Sequence, residues 1–288
     1  MTDFSPIYDI LGLLPLEGMR LRFMQQALLA LLLLAPMAAV LGVEVISFRM
    51  AFFSDAIGHS AFTSVALGLL LDVDPRLSMP IFGVLMGMAI MAVRRGSNLS
   101  ADTVIGIVFS AVIAFGLAVV SRFNGMARNM QQFLYGDILT VTEDEITFLA
   151  ALFAMMIVFQ AAGYNRLLAI ALNPVMAKAH GVRVAFWQYS FVGLLALIVT
   201  FSVWAVGILL VTALLIVPAA AARNFTRTAG GMFWWSCFVG LASAVSGLTI
   251  SAKESFTTAC GATIILVACC FFAASLVYAR LRDRLRTD

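Results

Sequence analysis

Two ionisable side chains, Asp55 and His59, stand four residues apart within an apolar run from Ala51 to Leu71. On an α-helix, residues at this spacing share one face, with their Cβ atoms roughly 5–6 Å apart. A carboxylate oxygen and an imidazole nitrogen placed in this way suit zinc, manganese or ferrous iron, whereas they suit potassium and sodium poorly. Ionisable groups in such apolar segments are costly and usually functional. The pair is therefore the first candidate for metal binding.

A second interpretation of the same pair needs no ion. Asp55 and His59 could form a buried hydrogen bond that fixes two helices. A metal site would need further ligands, because two side chains do not complete a coordination sphere, and water or a symmetry-related copy would have to supply them. Hydroxyl groups beside the pair are expected to support the ligands through hydrogen bonds. They belong to Ser54, Ser60, Thr63 and Ser64.

The rest of the chain is dominated by apolar residues. Of its 288 residues, 62% are hydrophobic and 11% are charged, and the mean hydropathy is +1.03. This composition excludes a soluble globular protein with an ordinary polar surface. Because lipid leaves no backbone polar group unbonded, apolar runs of about 20 residues predict membrane-spanning helices. We therefore predict an all-α, polytopic membrane protein.

Nine apolar runs are bounded by charged or turn-forming residues. We expect eight or nine crossings, because Gly207 is the one obvious hinge between the two runs in 187–222. Pro218 should kink the second of these runs, and the alanines after it allow close helix packing. A moving pathway wall and ordinary tight packing both agree with that pattern. The runs are 24–44, 51–71, 77–93, 103–121, 146–163, 187–206, 208–222, 230–250 and 259–279.

Charged residues between the runs predict the topology. Basic residues gather in alternate loops, which by the positive-inside rule face the cytoplasm, and acidic residues dominate the other loops. The basic clusters form no continuous face, so the net charge of +3 does not indicate nucleic-acid binding. Residues 1–22 are expected to form a short peripheral segment without a cleaved signal peptide. The main basic clusters lie at Arg49, Arg94–Arg95, Arg166–Arg183, Arg223–Arg227 and Arg280–Arg286.

Two loops are longer than a turn requires. The outer loop, 122–145, contains the apolar string FLYGDIL, for which we expect a partly buried or re-entrant element. In the inner loop, 164–186, Asn173 precedes a proline and Gly181 follows eight residues later. This pattern predicts a short capped helix on the cytoplasmic side, suited to docking a soluble partner.

The remaining reactive residues suggest no further site. The four cysteines lack a CxxC spacing and are interpreted as packing residues. We interpret Glu44, near Arg49, as an interfacial charge, and His180 as a solvated histidine. No GxxxxGK[ST], GxSxG or HExxH motif occurs, so the chain is not expected to hydrolyse ATP in the P-loop manner. A membrane-embedded hydrolase using His59 and a distant serine stays open as an alternative.

Six longer strings complete the sequence evidence. They are FRMAFFSDAIGHSAFTSVALGLLL at 48–71, SADTVIGIVFSAVIAFGLAVVS at 100–121, FLYGDILTVTEDE at 133–145, NPVMAKAHGV at 173–182, VGILLVTALLIVPAAAARNF at 206–225 and GLTISAKESFTTACGATIILV at 247–267. In this order they resemble the membrane permeases of ATP-binding-cassette importers for transition metals, the zinc, manganese and iron uptake family. The outer string at 133–145 looks most like the zinc permeases.

The resemblance implies a homodimer of permeases in the bacterial cytoplasmic (inner) membrane, two cytoplasmic ATPase subunits and an external metal-binding protein. It implies that Asp55 and His59, in the DxxxH string, contact a transported zinc or manganese ion, with no permanently bound cofactor. Segment 173–182 would be the coupling helix that docks on the ATPase. Its docking positions would be Asn173, Ala177, Lys178 and Gly181, and the pathway positions would be Gly207 and Pro218.

Two positions depart from the family pattern. Asn173 stands where the family commonly has an acidic residue, and Thr63-Ser64 replaces a common Pro-Gly pair, so a straighter helix is expected there. The overall prediction is one transmembrane permease domain over residues 1–288 that moves a divalent transition metal, zinc before manganese or iron, with ATP hydrolysed by a partner. A secondary cation carrier is the alternative transport mechanism.

Overall fold

A computed structural model describes residues 5–12, 21–121, 138–253 and 258–284. In these residues the regular elements are helices, and they contain no strand. The helices are α1 (Ser5–Gly12), α2 (Arg22–Ser47), α3 (Phe53–Leu70), α4 (Pro75–Gly96), α5 (Ala101–Val120), α6 (Glu143–Leu172), α7 (Pro174–Ala179), α8 (Val184–Val206), α9 (Ile208–Phe225), α10 (Ala229–Ser251) and α11 (Cys260–Arg284), with a 3-10 turn at Ile138–Thr140.

Eight of the described helices are long and apolar enough to span a membrane, namely α2, α4, α5, α6 and α8 to α11. The helix α3, with 18 residues, is not among them, because its carboxylate, imidazole and hydroxyl side chains make it less apolar. Each of the nine predicted runs lies on a separate helix. The prediction of an all-α, polytopic membrane protein is confirmed.

The two runs in 187–222 form separate helices. Gly207 lies between α8 and α9 with φ 91°, a backbone conformation that residues with a Cβ rarely adopt. Pro218 lies inside α9, which continues through it as one helix. Gly207 therefore separates two helices, and its role as a hinge, like that of Pro218 as a kink in the pathway, stays a prediction.

Local sequence sets several helix starts. The Asp74 side chain accepts a hydrogen bond from the backbone of Arg76, with Pro75 as the first helical residue of α4. The side chains of Ser100 and Thr228 cap α5 and α10 in the same way. Such caps satisfy backbone N–H groups that have no partner within the helix.

The described residues fall into two compact units. The first combines α1, α2 up to Val43, the 3-10 turn, the start of α6 up to Met155 and the chain from Leu209 onward. Within it α10 and α11 pack closely. A Cβ on Gly247 would lie 2.5 Å from the Cα of Ile264, so this contact has no room for a larger residue. Small residues at such contacts let membrane helices approach each other.

The second unit runs from Glu44 through α5 and from Met156 to Ile208. Its central helix is α3, which packs against α4, α5 and α8. The Thr63 hydroxyl donates to the Val112 carbonyl at 2.9 Å, and Gly116 lies directly against Thr63. These contacts hold α3 on three sides and fix the face that carries the candidate ligands.

Three predictions about chain organisation stay predictions. The described part of the peripheral segment 1–22 is mainly α1. Most of the outer element predicted in 122–145 lies outside the described residues, which resume at the 3-10 turn. The single permease domain over 1–288 is likewise not tested by the two compact units.

Candidate metal site

The helix α3 positions the two candidate ligands. Asp55 lies in its first turn, His59 lies one turn later on the same face, and both side chains are half-buried. The N-terminal end of a helix carries partial positive charge, which stabilises a carboxylate there. The start of α3 therefore suits an oxygen ligand for a cation.

The polar atoms of Asp55 and His59 have no partner in the part of the chain that the structure describes. Among the described residues, neither Asp55 nor His59 makes a hydrogen bond or an ion pair. The His59 ring packs edge-on against Phe109, with ring centroids 5.7 Å apart. The alternative of a hydrogen-bonded Asp55–His59 pair is thus not formed, and both side chains are available to a ligand.

The neighbouring hydroxyl groups do not support the pair. Three of them bond elsewhere, so the expected hydrogen bonds to the ligands are wrong for these residues. Ser54 is buried, and its hydroxyl has no partner within the described part of the chain. The bonds observed are Ser60 to the Ile57 carbonyl (2.7 Å), Thr63 to the Val112 carbonyl (2.9 Å) and Ser64 to the Ser78 hydroxyl (3.3 Å).

The hinge at Gly207 packs beside the ligand face. A Cβ on Gly58, between the two ligands, would lie 3.3 Å from Ile208 and 3.6 Å from Val203. Ile208 directly follows Gly207, so the start of α9 lies against the same turn of α3. A change in backbone angle at Gly207 would therefore alter contacts next to the candidate ligands Asp55 and His59.

Glu44 is buried, contrary to its interpretation as an interfacial charge. Its exposed fraction is 5%, whereas Arg49 is exposed and makes no ion pair with it in the described residues. The amide of Gln160, exposed by 7%, lies beside the carboxylate. The error arose because α2 continues to Ser47, so Glu44 stays within the packed helix.

A metal ion bound by Asp55 and His59 would need further donor atoms from elsewhere. Within the described ranges, no group of three or more His, Cys, Asp or Glu residues could hold a metal ion. Glu44 is therefore not a third ligand of Asp55 and His59. Water, backbone carbonyls or a second copy of the chain would have to complete the coordination.

The short capped helix predicted from Asn173 and Gly181 is confirmed as α7, while its place on the cytoplasmic side stays a prediction. The Asn173 side-chain oxygen accepts hydrogen bonds from the backbone of Val175 at 3.0 Å and of Met176 at 3.1 Å. Gly181 follows the helix with φ 79°, which suits glycine. The side chains of Val175 and Met176 are 76% and 59% exposed. This helix therefore presents apolar side chains outward.

The four predicted docking positions differ in exposure. Asn173 and Lys178 are exposed, and Gly181 ends the segment. Ala177 is only 4% exposed, so it packs against the protein's own chain. His180 is exposed, as predicted, with Nδ1 2.8 Å from the Met176 carbonyl.

All four cysteines are free thiols, and their surroundings differ. Cys260 is buried and Cys237 is half-buried, whereas Cys269 and Cys270 are exposed on the surface of α11. The packing interpretation therefore applies to Cys260 and Cys237 within the protein itself.

Comparison with known proteins decides the family. A sequence model described as the ABC 3 transport family matches residues 20–279. The chain belongs to this family. It is 30% identical to the high-affinity zinc uptake system membrane protein ZnuB of Haemophilus influenzae over 87% of this chain and 95% of that protein. It is 32% identical to the manganese transport system membrane protein MntC of Listeria innocua, over 92% and 94%.

A solved structure agrees with the family. PsaBC from Streptococcus pneumoniae, in complex with a Fab, superposes with a TM-score of 0.74 at 28% identity, covering 95% of each chain. This ABC 3 protein is therefore a multi-pass membrane permease subunit of an ATP-driven metal importer, and ATP is hydrolysed by a separate subunit. The alternatives of a secondary carrier and a membrane-embedded hydrolase are set aside.

Proposed function

We propose that this permease imports a divalent transition metal, zinc first and manganese or iron next, and that Asp55 and His59 bind the ion in transit. The observation that carries this proposal is the half-buried pair on one face of α3 whose donor atoms have no partner in the described residues. Oxygen and nitrogen donors together suit zinc and also accept manganese. The relative named for zinc uptake supports placing zinc first.

The small number of ligands suits transport. A site with two side chains from one chain holds an ion weakly, and weak binding permits release on the other side. A second permease copy would bring a second pair toward the same ion. Gly207 provides a place where the chain beside α3 can change its shape, and Pro218 is proposed as a second such place within α9.

The full importer needs three partners besides the metal. These are a second copy of this chain, an ATP-binding-cassette ATPase on the cytoplasmic side and an external metal-binding protein. The segment 173–182 is proposed to dock on the ATPase, with the exposed Val175 and Met176 as its apolar contacts. Apolar side chains that project from a capped helix fit a groove on a soluble partner.

Uptake of radioactive zinc and manganese tests the metal role. Cells that express the permease with its ATPase and binding protein are compared with cells carrying Asp55→Ala or His59→Ala. We expect each variant to lose at least about tenfold in uptake, since even outer partners of metal ligands contribute that much. Asp102→Asn, an exposed carboxylate in the first turn of α5, is the matched control. Normal uptake by both ligand variants would remove the pair from the pathway.

Copurification of the ATPase tests the docking role. Met176→Glu or Val175→Glu places a charge on the apolar surface of α7, and the ATPase should then no longer copurify with the permease. Val73→Glu, at an exposed valine in the loop before α4, is the control and should leave copurification intact. Retention of the ATPase by the α7 variants would contradict docking there.

A further inference from the structure

Glu44 and Gln160 form a buried polar pair with unused hydrogen-bonding atoms. Both carboxylate oxygens of Glu44 and both amide atoms of Gln160 are shielded from solvent and lack a partner with hydrogen-bond geometry in the described residues. Buried polar groups in folded proteins are nearly always bonded, so each exception calls for a bound species or a functional reason. Here two adjacent side chains, Glu44 and Gln160, both lack such a hydrogen bond.

No positive side chain offsets the carboxylate. Among the described residues Glu44 takes part in no salt bridge, and the nearby Arg49 points to the surface. Glu44 also lies in the last turn of α2, where the helix dipole presents partial negative charge. A buried charged carboxylate at that end of a helix is unfavourable, so the group either takes up a proton or binds a cation.

The surrounding donors are oxygens. The Gln160 amide on α6 lies beside the Glu44 carboxyl group. Together the two side chains offer two carboxylate oxygens and an amide oxygen. Neither of them carries an imidazole or a thiolate. Such a set suits hard divalent cations such as manganese or magnesium better than zinc.

We infer that Glu44 and Gln160 form a second cation site, specific for a hard divalent ion and separate from Asp55 and His59. The inference rests on the proposed function, since it gives an imported manganese ion a second place to bind. The two sites are distinct because no cluster of three metal-binding residues joins Glu44 to the first pair within the described chain. By the predicted topology, the site lies toward the cytoplasmic end of α2.

Manganese binding to the purified full-length permease tests the site. Free Mn²⁺ is measured by electron paramagnetic resonance in the background Asp55→Ala/His59→Ala, which removes the first pair. We expect that background to retain Mn²⁺ binding and to prefer Mn²⁺ over Zn²⁺ in competition. Adding Glu44→Gln should weaken the binding by about tenfold or more. Equal Mn²⁺ affinity with and without Glu44→Gln would overturn the inference.

A swapped variant separates a lost site from a damaged fold. Glu44→Gln combined with Gln160→Glu keeps one carboxylate and one amide in the same place, so Mn²⁺ binding should return in part. Failure of the swap in monodisperse protein would show that Gln160 does not share the site. Because uptake is not the readout, normal transport by Asp55→Ala would refute the proposed function of the first pair without affecting this result.

Discussion

The end of α2 and the start of α3 flank the same short connection, yet they place a carboxylate in opposite surroundings. Asp55 is half-buried at the positive end of its helix, whereas Glu44 is 5% exposed at the negative end of its own. Solvent and the helix dipole both stabilise the negative charge of Asp55. Neither of them stabilises a negative charge on Glu44. Easy exchange of an ion is therefore expected at the first position and tighter retention at the second.

The largest expected difference is in uptake of the two metals. Asp55→Ala should reduce zinc and manganese uptake together, because every ion would pass the pair. Glu44→Gln should reduce manganese uptake by about tenfold and zinc uptake much less, since oxygen donors favour manganese. Parallel uptake assays with both isotopes check this. Equal losses of zinc and manganese uptake in Glu44→Gln would show that the two carboxylates do not differ in metal preference.

In the metal-free protein, replacing Glu44 should change the free energy of unfolding more than replacing Asp55 does. Glu44→Leu removes an unsatisfied carboxylate from the interior and should stabilise the permease by about 1–3 kcal/mol. Asp55→Leu should change stability by less than about 0.5 kcal/mol, because Asp55 is half-exposed. Thermal unfolding in detergent with a metal chelator, followed by tryptophan fluorescence, measures both. Destabilisation of Glu44→Leu would show that the carboxylate is well accommodated without a cation.

A change at the hinge should affect the first site alone. Gly207→Ala forces a residue with a Cβ to adopt φ 91° and ψ 158° and should cost about 1–3 kcal/mol, with reduced uptake of both metals. Mn²⁺ binding at Glu44 should stay unchanged. Gly193→Ala in α8 is the matched control, since a Cβ there meets no atom within 4 Å. Loss of Mn²⁺ binding in Gly207→Ala would link the two sites.

The smallest effects are expected at the hydroxyls beside the first pair. Thr63→Val removes the bond to the Val112 carbonyl and should cost about 1 kcal/mol of stability without changing the ratio of zinc to manganese uptake. Ser60→Ala should alter neither quantity measurably, because its hydroxyl bonds within its own helix. A shift in metal preference in either variant would show that these hydroxyls act on the ligands.

Apolar periodicity was enough to place the helices but not all their ends. The run 208–222 became Ile208–Phe225, whereas the run 146–163 became Glu143–Leu172. The polar residues Tyr164, Asn165 and Arg166 suggested an end to the membrane segment, and a helix can continue past that point into water. Sequence hydropathy reports the lipid boundary rather than the end of backbone hydrogen bonding.

The two carboxylates differ in how well their partners can be predicted from the sequence. Asp55 was found because its partner His59 lies on the same helix at a spacing that helix geometry interprets directly. Gln160 lies far from Glu44 in the sequence, so nothing local linked the two residues. Similarly, Ser60, Thr63 and Ser64 were near the pair in sequence, but packing directed their hydroxyls elsewhere.

The length of α6 has a mechanical consequence. Its 30 residues extend over about 45 Å, while the hydrocarbon core is about 30 Å thick, so part of the helix must project beyond the lipid. Asn173 alone separates its last residue from α7, and its side chain fixes the start of α7. Because a single residue connects the two helices, a displacement of α7 would be transmitted directly to α6.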